Sequence, residues 1–177
     1  MNKALKALAL AFLLSCAAGA AQAQQAPVSL QVIPNGTTLN SGNTLRVTLT
    51  AFYRGPAFTA DFYFGVIHPD GVNATFVVNL NPLTAVVRRL DQPITFPPLF
   101  AGITIPANFT TSLPSFFEYK LTPAEALGTY NFFAALTAPR AFDNGIVDGT
   151  DLIGFAQRAI TIVAPPTSGG CPPGVRC

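Results

Sequence analysis

The densest group of metal-ligating side chains lies in an acidic loop at residues 143–151, which reads DNGIVDGTD. Its carboxylates come from Asp143, Asp148 and Asp151. Calcium takes six to eight oxygen ligands, which such loops supply from side chains and backbone carbonyls. The spacing departs from the EF-hand pattern, because Val147 stands at its fifth position and no Glu closes the loop. The composition favours ordinary turn formation. Calcium is the best metal hypothesis, and no other cofactor is expected.

The only histidine, His68, is the one candidate for a general base. A Ser–His–Asp arrangement would have to use it, with Asp61 or Asp70 as the orienting acid. No Gly-x-Ser-x-Gly elbow accompanies it. The eight acidic residues show no spacing that singles out a pair for glycoside cleavage. We therefore predict that the chain is not an enzyme and that His68 is an ordinary strand-end residue.

An apolar, proline-interrupted segment runs from Asn81 to Pro114, and its sequence is typical of an irregular connection. It is unusually long for an irregular connection inside a compact domain. One interpretation is that it folds down as an edge strand or a capping loop, with Pro blocking edge pairing. The other is that it presents apolar surface to a protein partner or to a second copy of the chain. Under the second interpretation the candidate contact residues are Phe96, Leu99, Phe100, Ile103 and Ile105.

Aromatic side chains give a weaker argument for carbohydrate binding. The chain has 15 Phe, four Tyr and no Trp, and the Phe residues lie mostly in strand-like runs. Alternate positions of such strands fill the core of a sandwich, so packing accounts for most of these rings. A calcium- or carbohydrate-binding accessory domain that uses the acidic loop is therefore the alternative function, behind a protein-binding or structural role.

Two of the three cysteines lie close together near the C-terminus. Cys171 and Cys177 are separated by the sequence PPGVR, and in an oxidising compartment they are predicted to form a disulfide. A bridge that closes so short a loop constrains the tail and stabilises the core little. Two thiolates without a neighbouring His or further Cys do not complete a tetrahedral metal site.

The N-terminus predicts export. Lys3 and Lys6 are followed by an apolar run and by the sequence Ala-Gln-Ala at 21–23, which is typical of a signal peptide cleaved after Ala23. The mature chain is then 24–177, and we expect it in the periplasm or outside the cell. Residues 13–16 (LLSC) loosely resemble a lipobox, so a lipoprotein attached through Cys16 is the lesser alternative.

The charge of the mature chain excludes one class of partner. The precursor has 10 Lys and Arg against 8 Asp and Glu, and loss of Lys3 and Lys6 makes the two counts equal. A neutral chain without a basic patch lacks the electrostatic footprint of nucleic-acid binding. After cleavage, no apolar run is long enough to form a membrane helix.

Strand-like runs separated by turn signals must position these residues. The pattern is clearest from Thr44 to Tyr53, where apolar and polar residues alternate with a period of two. The only helix candidate is one turn from Thr122 to Leu127. The pattern predicts an all-β, two-sheet antiparallel sandwich over 24–163, followed by a flexible tail at 164–177. Its seven predicted strands lie at 28–33, 44–53, 59–68, 74–80, 115–121, 130–136 and 158–163.

A short motif in this pattern resembles immunoglobulin-like and fibronectin-type-III-like modules of secreted bacterial proteins. Gly128-Thr129-Tyr130 follows the one-turn connector and precedes an apolar strand. In that family the Tyr hydroxyl bonds back to the turn. Phe132 stands where antibody domains have their second Cys, so Phe packing would replace the disulfide. The resemblance implies an immunoglobulin-like sandwich that acts as a binding, adhesion or structural module at the cell surface.

Overall fold

The computed structural model describes residues 28–91, 95–141 and 151–165. These residues form ten β-strands and no helix. The described part of the chain therefore contains no helix that could cross a membrane. The all-β prediction is confirmed. The predicted signal peptide and the predicted Cys171–Cys177 disulfide lie outside the described residues. In chain order the strands are β1 (Ser29–Pro34), β2 (Thr38–Asn40), β3 (Thr44–Phe52), β4 (Phe58–Ile67), β5 (Asn73–Leu80), β6 (Leu83–Arg89), β7 (Phe100–Ile105), β8 (Thr110–Lys120), β9 (Gly128–Thr137) and β10 (Leu152–Val163).

The strands form two sheets that face each other. The small sheet has the order β1-β3-β8, and the large sheet has the order β2-β10-β9-β4-β5-β6. Strand β7 also pairs with β4, so it belongs to the large sheet. Every pairing is antiparallel except that of β10 with β2, which is parallel. The predicted two-sheet sandwich is therefore confirmed, with one parallel pair at its margin.

Period-two alternation builds the core between the sheets. In β3, Leu45, Val47 and Leu49 are buried, while the residues between them are more exposed. They pack against the inner face of the large sheet, where Phe64 of β4 and Phe132 of β9 are buried. Burying an apolar side chain of this size contributes about 1.5–3 kcal/mol to folding. The ring of Phe132 lies 6.3 Å from that of Phe117 in β8, so aromatic packing between the sheets occupies the place expected for a disulfide.

The large sheet also buries part of its outer face. Tyr63, Phe76 and Phe133 form a second apolar cluster there. Phe96 covers this cluster, and its ring centroid lies 5.0 Å from that of Phe76. The dense aromatic content of β4 predicts burial on both faces, and the structure confirms it.

All seven predicted strands are present, and three further strands were missed. Two of them, β6 and β7, lie inside the 81–114 segment, and β8 begins there at Thr110, so the prediction of an irregular segment was wrong. Proline does not prevent these strands because it occupies turn and bulge positions. Pro82 lies in the tight turn between β5 and β6, after a cis peptide bond. Pro114 lies where the pairing of β8 with β3 shifts register.

The connection from β8 to β9 crosses from the small sheet to the large one, and it is a turn rather than the predicted single helical turn. Its only backbone bond of helical spacing is the weaker i+3 type, from the N–H of Glu125 to the carbonyl of Thr122 at 3.2 Å. A single helical turn does not repay its nucleation cost. The Tyr130 hydroxyl donates to the Ala126 carbonyl at 2.9 Å. This is the tyrosine corner that the resemblance implies.

Candidate functional site: an apolar cleft beside strand β8

The two sheets differ in width, and this difference creates a cleft. Strand β8 is the last strand of the small sheet, whereas β5 and β6 extend the large sheet beyond it. Thr75 and Val77 of β5 point toward the cleft, and so do Leu83 and Ala85 of β6. In the register of the β5–β6 pair, Val77 lies opposite Ala85. No described strand of the small sheet covers this part of the large sheet.

The cleft is an open cavity of about 230 Å³ with mainly apolar walls. Its floor includes Phe64 and Phe132, which also belong to the core between the sheets. One wall is the edge of β8, and the other is the ribbon formed by β5 and β6. The wall residues are Phe117 and Tyr119 on β8 and Leu121 directly after it, with Val77, Leu83 and Ala85 opposite them.

A carboxylate lies at the end of the cleft next to the β8–β9 turn. The Tyr119 hydroxyl donates to Glu125 Oε1 at 2.7 Å, and the Thr122 hydroxyl donates to the same oxygen at 3.1 Å. The other oxygen, Oε2, makes no hydrogen bond to any described residue. The bond to Glu125, then burial and then the charge of Glu125 raise the pKa of Tyr119 to about 12. The cleft thus ends at an acceptor that has spare hydrogen-bonding capacity.

His68 and Tyr130 complete this polar end. The His68 Nε2 atom lies 2.7 Å from the Thr75 hydroxyl, and the imidazole ring lies 5.7 Å from the Tyr130 ring. Burial raises the pKa of Tyr130, and the negative charges of Glu125 and Asp70 raise it further. The hydrogen bond that the Tyr130 hydroxyl donates to the Ala126 carbonyl acts on this pKa in the opposite direction.

The structure does not assemble the acid–base pair considered for His68. Asp70 accepts the backbone N–H groups of Val72 and Asn73 at 2.9 Å each, and these bonds, Asn73 first, lower its pKa to about 2. Asp61 is buried and accepts two backbone N–H groups elsewhere in the fold. The imidazole bonds instead to Thr75, so neither acid orients it.

The five residues predicted to bind a partner are divided among three places. Phe96 lies on the outer face of the large sheet, while Leu99 and Ile105 belong to the core between the sheets, and all three are buried. Phe100 is 43% exposed and Ile103 is partly buried. These last two line a smaller apolar recess of about 120 Å³ between β7 and β8. The buried three serve packing, which agrees with the folded-down interpretation of the segment.

The predicted calcium loop lies mainly outside the described residues. This applies to Asp143 and Asp148. Asp151 is described, and its backbone carbonyl accepts the N–H of Ala138 at 3.3 Å. Within residues 28–91, 95–141 and 151–165, no cluster of three or more His, Cys, Asp or Glu side chains could hold a metal. Calcium binding by this loop stays a prediction.

Sequence reasoning missed the cleft itself. Leu83, Ala85 and Val87 occupy alternate positions in LTAVVRR, but the apolar Val86 between them weakens this period-two signal. The position of Glu125 beside Tyr119 had no such signal, because it depends on how the β8–β9 turn folds back against β8.

Comparisons with known proteins give fold-level likeness only. No family model matches the chain, and neither does any curated protein sequence. The sporulation control protein Spo0M from Bacillus subtilis is similar with a TM-score of 0.46 and 12% identity, over 79% of this chain and 51% of Spo0M. The chain thus spans about half the length of that protein. A CARDB domain from Pyrococcus furiosus, solved in complex with di-metal ions, has a TM-score of 0.43 and 9% identity, over 77% of this chain and 87% of that domain.

Proposed function

We propose that the chain is an exported, non-enzymatic binding module whose ligand site is the cleft between β8 and the β5–β6 ribbon. One observation carries the proposal: an apolar cavity of about 230 Å³ ends at a small group of convergent polar side chains. Small-molecule sites in proteins have this composition, with apolar walls for affinity and a few polar groups for orientation.

The packing around the cleft supports a binding role. Leu83 on the ribbon is 41% exposed, although its neighbours in the cleft floor are buried. An apolar ligand would remove this surface from water, and each square ångström buried contributes about 25 cal/mol. The floor is held in place by rings of both sheets, such as Phe64 and Phe117 at 5.3 Å, so the site is largely formed before a ligand arrives.

The non-enzymatic part of the proposal is supported by the surroundings of His68. Its Nε2 atom is engaged by Thr75, and no carboxylate of the described residues hydrogen-bonds to the ring as a triad requires. Export to the periplasm or the cell exterior is supported by the N-terminal sequence, with its basic start, apolar run and Ala-Gln-Ala site.

A second candidate function, docking of a protein partner or of a second copy, is favoured by the apolar surface of β7. Phe100 is 43% exposed beside Ile103, and β8 next to them has no strand partner on its outer edge among the described residues. Such an edge can accept an added strand. Light scattering of the mature chain tests this candidate, since Phe100→Ser would dissolve an oligomer built on this surface.

The cleft is tested with a neutral fluorescent probe, N-phenyl-1-naphthylamine, titrated into the mature chain 24–177. We expect saturable fluorescence enhancement that falls at least about tenfold in affinity in Ala85→Phe, because the ring would occupy the cleft. Thr84→Phe is the matched control, since Thr84 neighbours Ala85 on β6 but is not part of the cleft lining. Urea unfolding of both variants checks that they fold.

The proposal fails if the native chain shows no saturable binding. It also fails if Ala85→Phe binds the probe as tightly as Thr84→Phe does, because the probe would then be bound elsewhere.

A further inference from the structure

We infer that the cleft selects amphipathic organic cations, with an ammonium head at Glu125 and an apolar body between β8 and the β5–β6 ribbon. This inference rests on the proposed function, and it adds the chemical class of the ligand. Its carrying observation is a one-sided distribution of charge around an otherwise apolar cavity.

Among the described residues, Glu125 is the only acidic side chain that lines the cleft, and none of the lining residues is Lys or Arg. Its Oε1 atom already accepts two hydroxyl groups, whereas Oε2 has no hydrogen-bond partner among the described residues. A carboxylate at the end of an apolar cavity interacts most strongly with a donor that is also positively charged. A ligand carboxylate placed there would meet repulsion and leave two acceptors facing each other.

Lys120 follows Tyr119 on β8, but it occupies the alternate position of the strand and does not line the cleft. Two arginines on this part of the fold are engaged in ion pairs of their own. On β8, Glu118 pairs with Arg46 of β3 at 3.0 Å, away from the cleft lining. On the β6 side, Arg89 pairs with Asp91 at 2.6 Å. No described cationic side chain therefore neutralises Glu125 within the cleft, and a ligand cation would be its first close counter-charge.

The aromatic groups near Glu125 strengthen this preference. Tyr119 and Tyr130 both line the cleft, and their hydroxyls donate to Glu125 and to the Ala126 carbonyl. Because both hydroxyls already donate their hydrogen, these tyrosines can offer a ligand only oxygen lone pairs and aromatic rings. Both attract positive charge, and ring faces do so most effectively when the cation is partly desolvated.

The rest of the cleft suits an apolar body. Beyond the polar end, the lining residues Val77, Leu83 and Phe132 offer no hydrogen-bonding side chain. The cavity of about 230 Å³ exceeds the roughly 150 Å³ that holds benzene in an engineered protein cavity. A chain of several methylenes or an aromatic ring with a short linker fits this volume, and each buried methylene improves affinity about fourfold.

Head-group selectivity is measured with three ligands that share one apolar tail: octylammonium, octan-1-ol and octanoate. Each displaces the neutral probe from the mature chain at neutral pH. We expect octylammonium to bind at least about tenfold more tightly than octanoate, with octan-1-ol between them. Glu125→Gln should bring octylammonium to the level of octan-1-ol while octan-1-ol itself is unchanged. Glu118→Gln is the control, because Glu118 lies on β8 outside the cleft lining. It should leave the order of the three affinities unchanged.

Tyr119→Phe separates loss of charge from loss of local structure. It removes a partner of Glu125 but leaves the carboxylate, so the preference for octylammonium should persist. The inference is overturned if native protein binds all three ligands equally, or if Glu125→Gln keeps the preference. In both cases probe binding that Ala85→Phe abolishes would leave the proposed function standing. If neither the probe nor any of the three ligands binds, the proposed function itself fails.

Discussion

The space between the large sheet and the edge of β8 has two halves. They are lined by some of the same strands, but one half is nearly filled by side chains and the other is open. One edge of β4 pairs with β7 over its first residues and with β5 over its last, while its other edge pairs with β9. Next to β7, side chains nearly fill the space between the large sheet and β8, leaving the recess of about 120 Å³. Next to β5, the same space opens into the cleft of about 230 Å³.

The closed half is filled by aromatic rings. Phe62 of β4 stacks on Phe100 of β7 at 6.2 Å and contacts the edge of Phe116 of β8 at 6.0 Å. Phe116 reaches the interior because β8 shifts its register against β3 beside Ser115, whose φ is 50°. Edge-to-face and offset rings pack densely and add about 0.5–1.5 kcal/mol per pair beyond their buried area.

A buried carboxylate fixes β7 in this closed half. Asp61 is 4% exposed, and its Oδ1 and Oδ2 atoms accept the backbone N–H groups of Gly102 and Arg140 at 2.7 Å each. The bond to Gly102 ties β7 to β4. Glu125 in the open half differs, because only its Oε1 atom accepts hydrogen bonds from described residues.

Two features together decide whether the space closes: the strand that borders it and the size of the side chains that face β8. The lining of the open half includes Thr75, Val77 and Ala85, whose side chains are too short to reach β8. Proteins pack their interiors to near-crystalline density wherever nothing else is required. An unfilled apolar space bordered by a carboxylate is the expected exception at a binding site.

The strongest test of this contrast removes one large side chain from each half. Phe62→Ala should lower the free energy of unfolding by about 3–5 kcal/mol, because a buried ring is lost and its neighbours cannot collapse. Leu83→Ala, in the open half, should cost less than about 1 kcal/mol, because its side chain is already 41% exposed. Urea denaturation at neutral pH measures both. Equal losses would mean that the two halves are packed alike.

The reverse test adds the same volume to each half. Ala60 of β4 is fully buried and lies opposite Ile103 of β7, so Ala60→Leu should overpack the closed half and cost about 1–3 kcal/mol. Ala85→Leu should change the free energy of unfolding by less than about 0.5 kcal/mol, because the cleft has room for it. A loss at Ala85 as large as at Ala60 would show that the cleft is closed in solution.

Much of this contrast follows from sequence patterns, and the rest depends on long-range contacts. Alternation predicted β3 and aromatic density predicted β4, both with nearly correct limits, and the Gly128-Thr129-Tyr130 motif predicted the tyrosine corner. These signals are local. The strands β6 and β7 were missed because Pro residues were interpreted as breakers of the whole segment, whereas they occupy turns and bulges between short strands.

The candidate site could not be derived in the same way. The cleft exists because β5 and β6 extend beyond β8, and sheet width depends on which strands pair, not on the pattern within one strand. Glu125 lies in the segment that was predicted as a single helical turn, but in the folded turn it accepts a hydrogen bond from Tyr119. His68 was correctly expected at a strand end, although its partner Thr75 depends on the β4–β5 hairpin.

The smallest expected effect concerns the polar end of the open half, where Tyr119 titrates in alkaline solution. Its pKa of about 12 lies above the ordinary 10, first because its hydroxyl donates to Glu125. The raised value means that this contact contributes stability fully below pH 10 and loses it as the pH rises through about 12. Near-ultraviolet absorbance of tyrosinate should show this late step in the native chain and lose it in Tyr119→Phe. In Glu125→Gln the step should move toward 10, since the carboxylate acceptor and its charge are both removed. A step that stays near 12 in Glu125→Gln would mean that burial alone raises this pKa, and that the contact between Tyr119 and Glu125 does not form in solution.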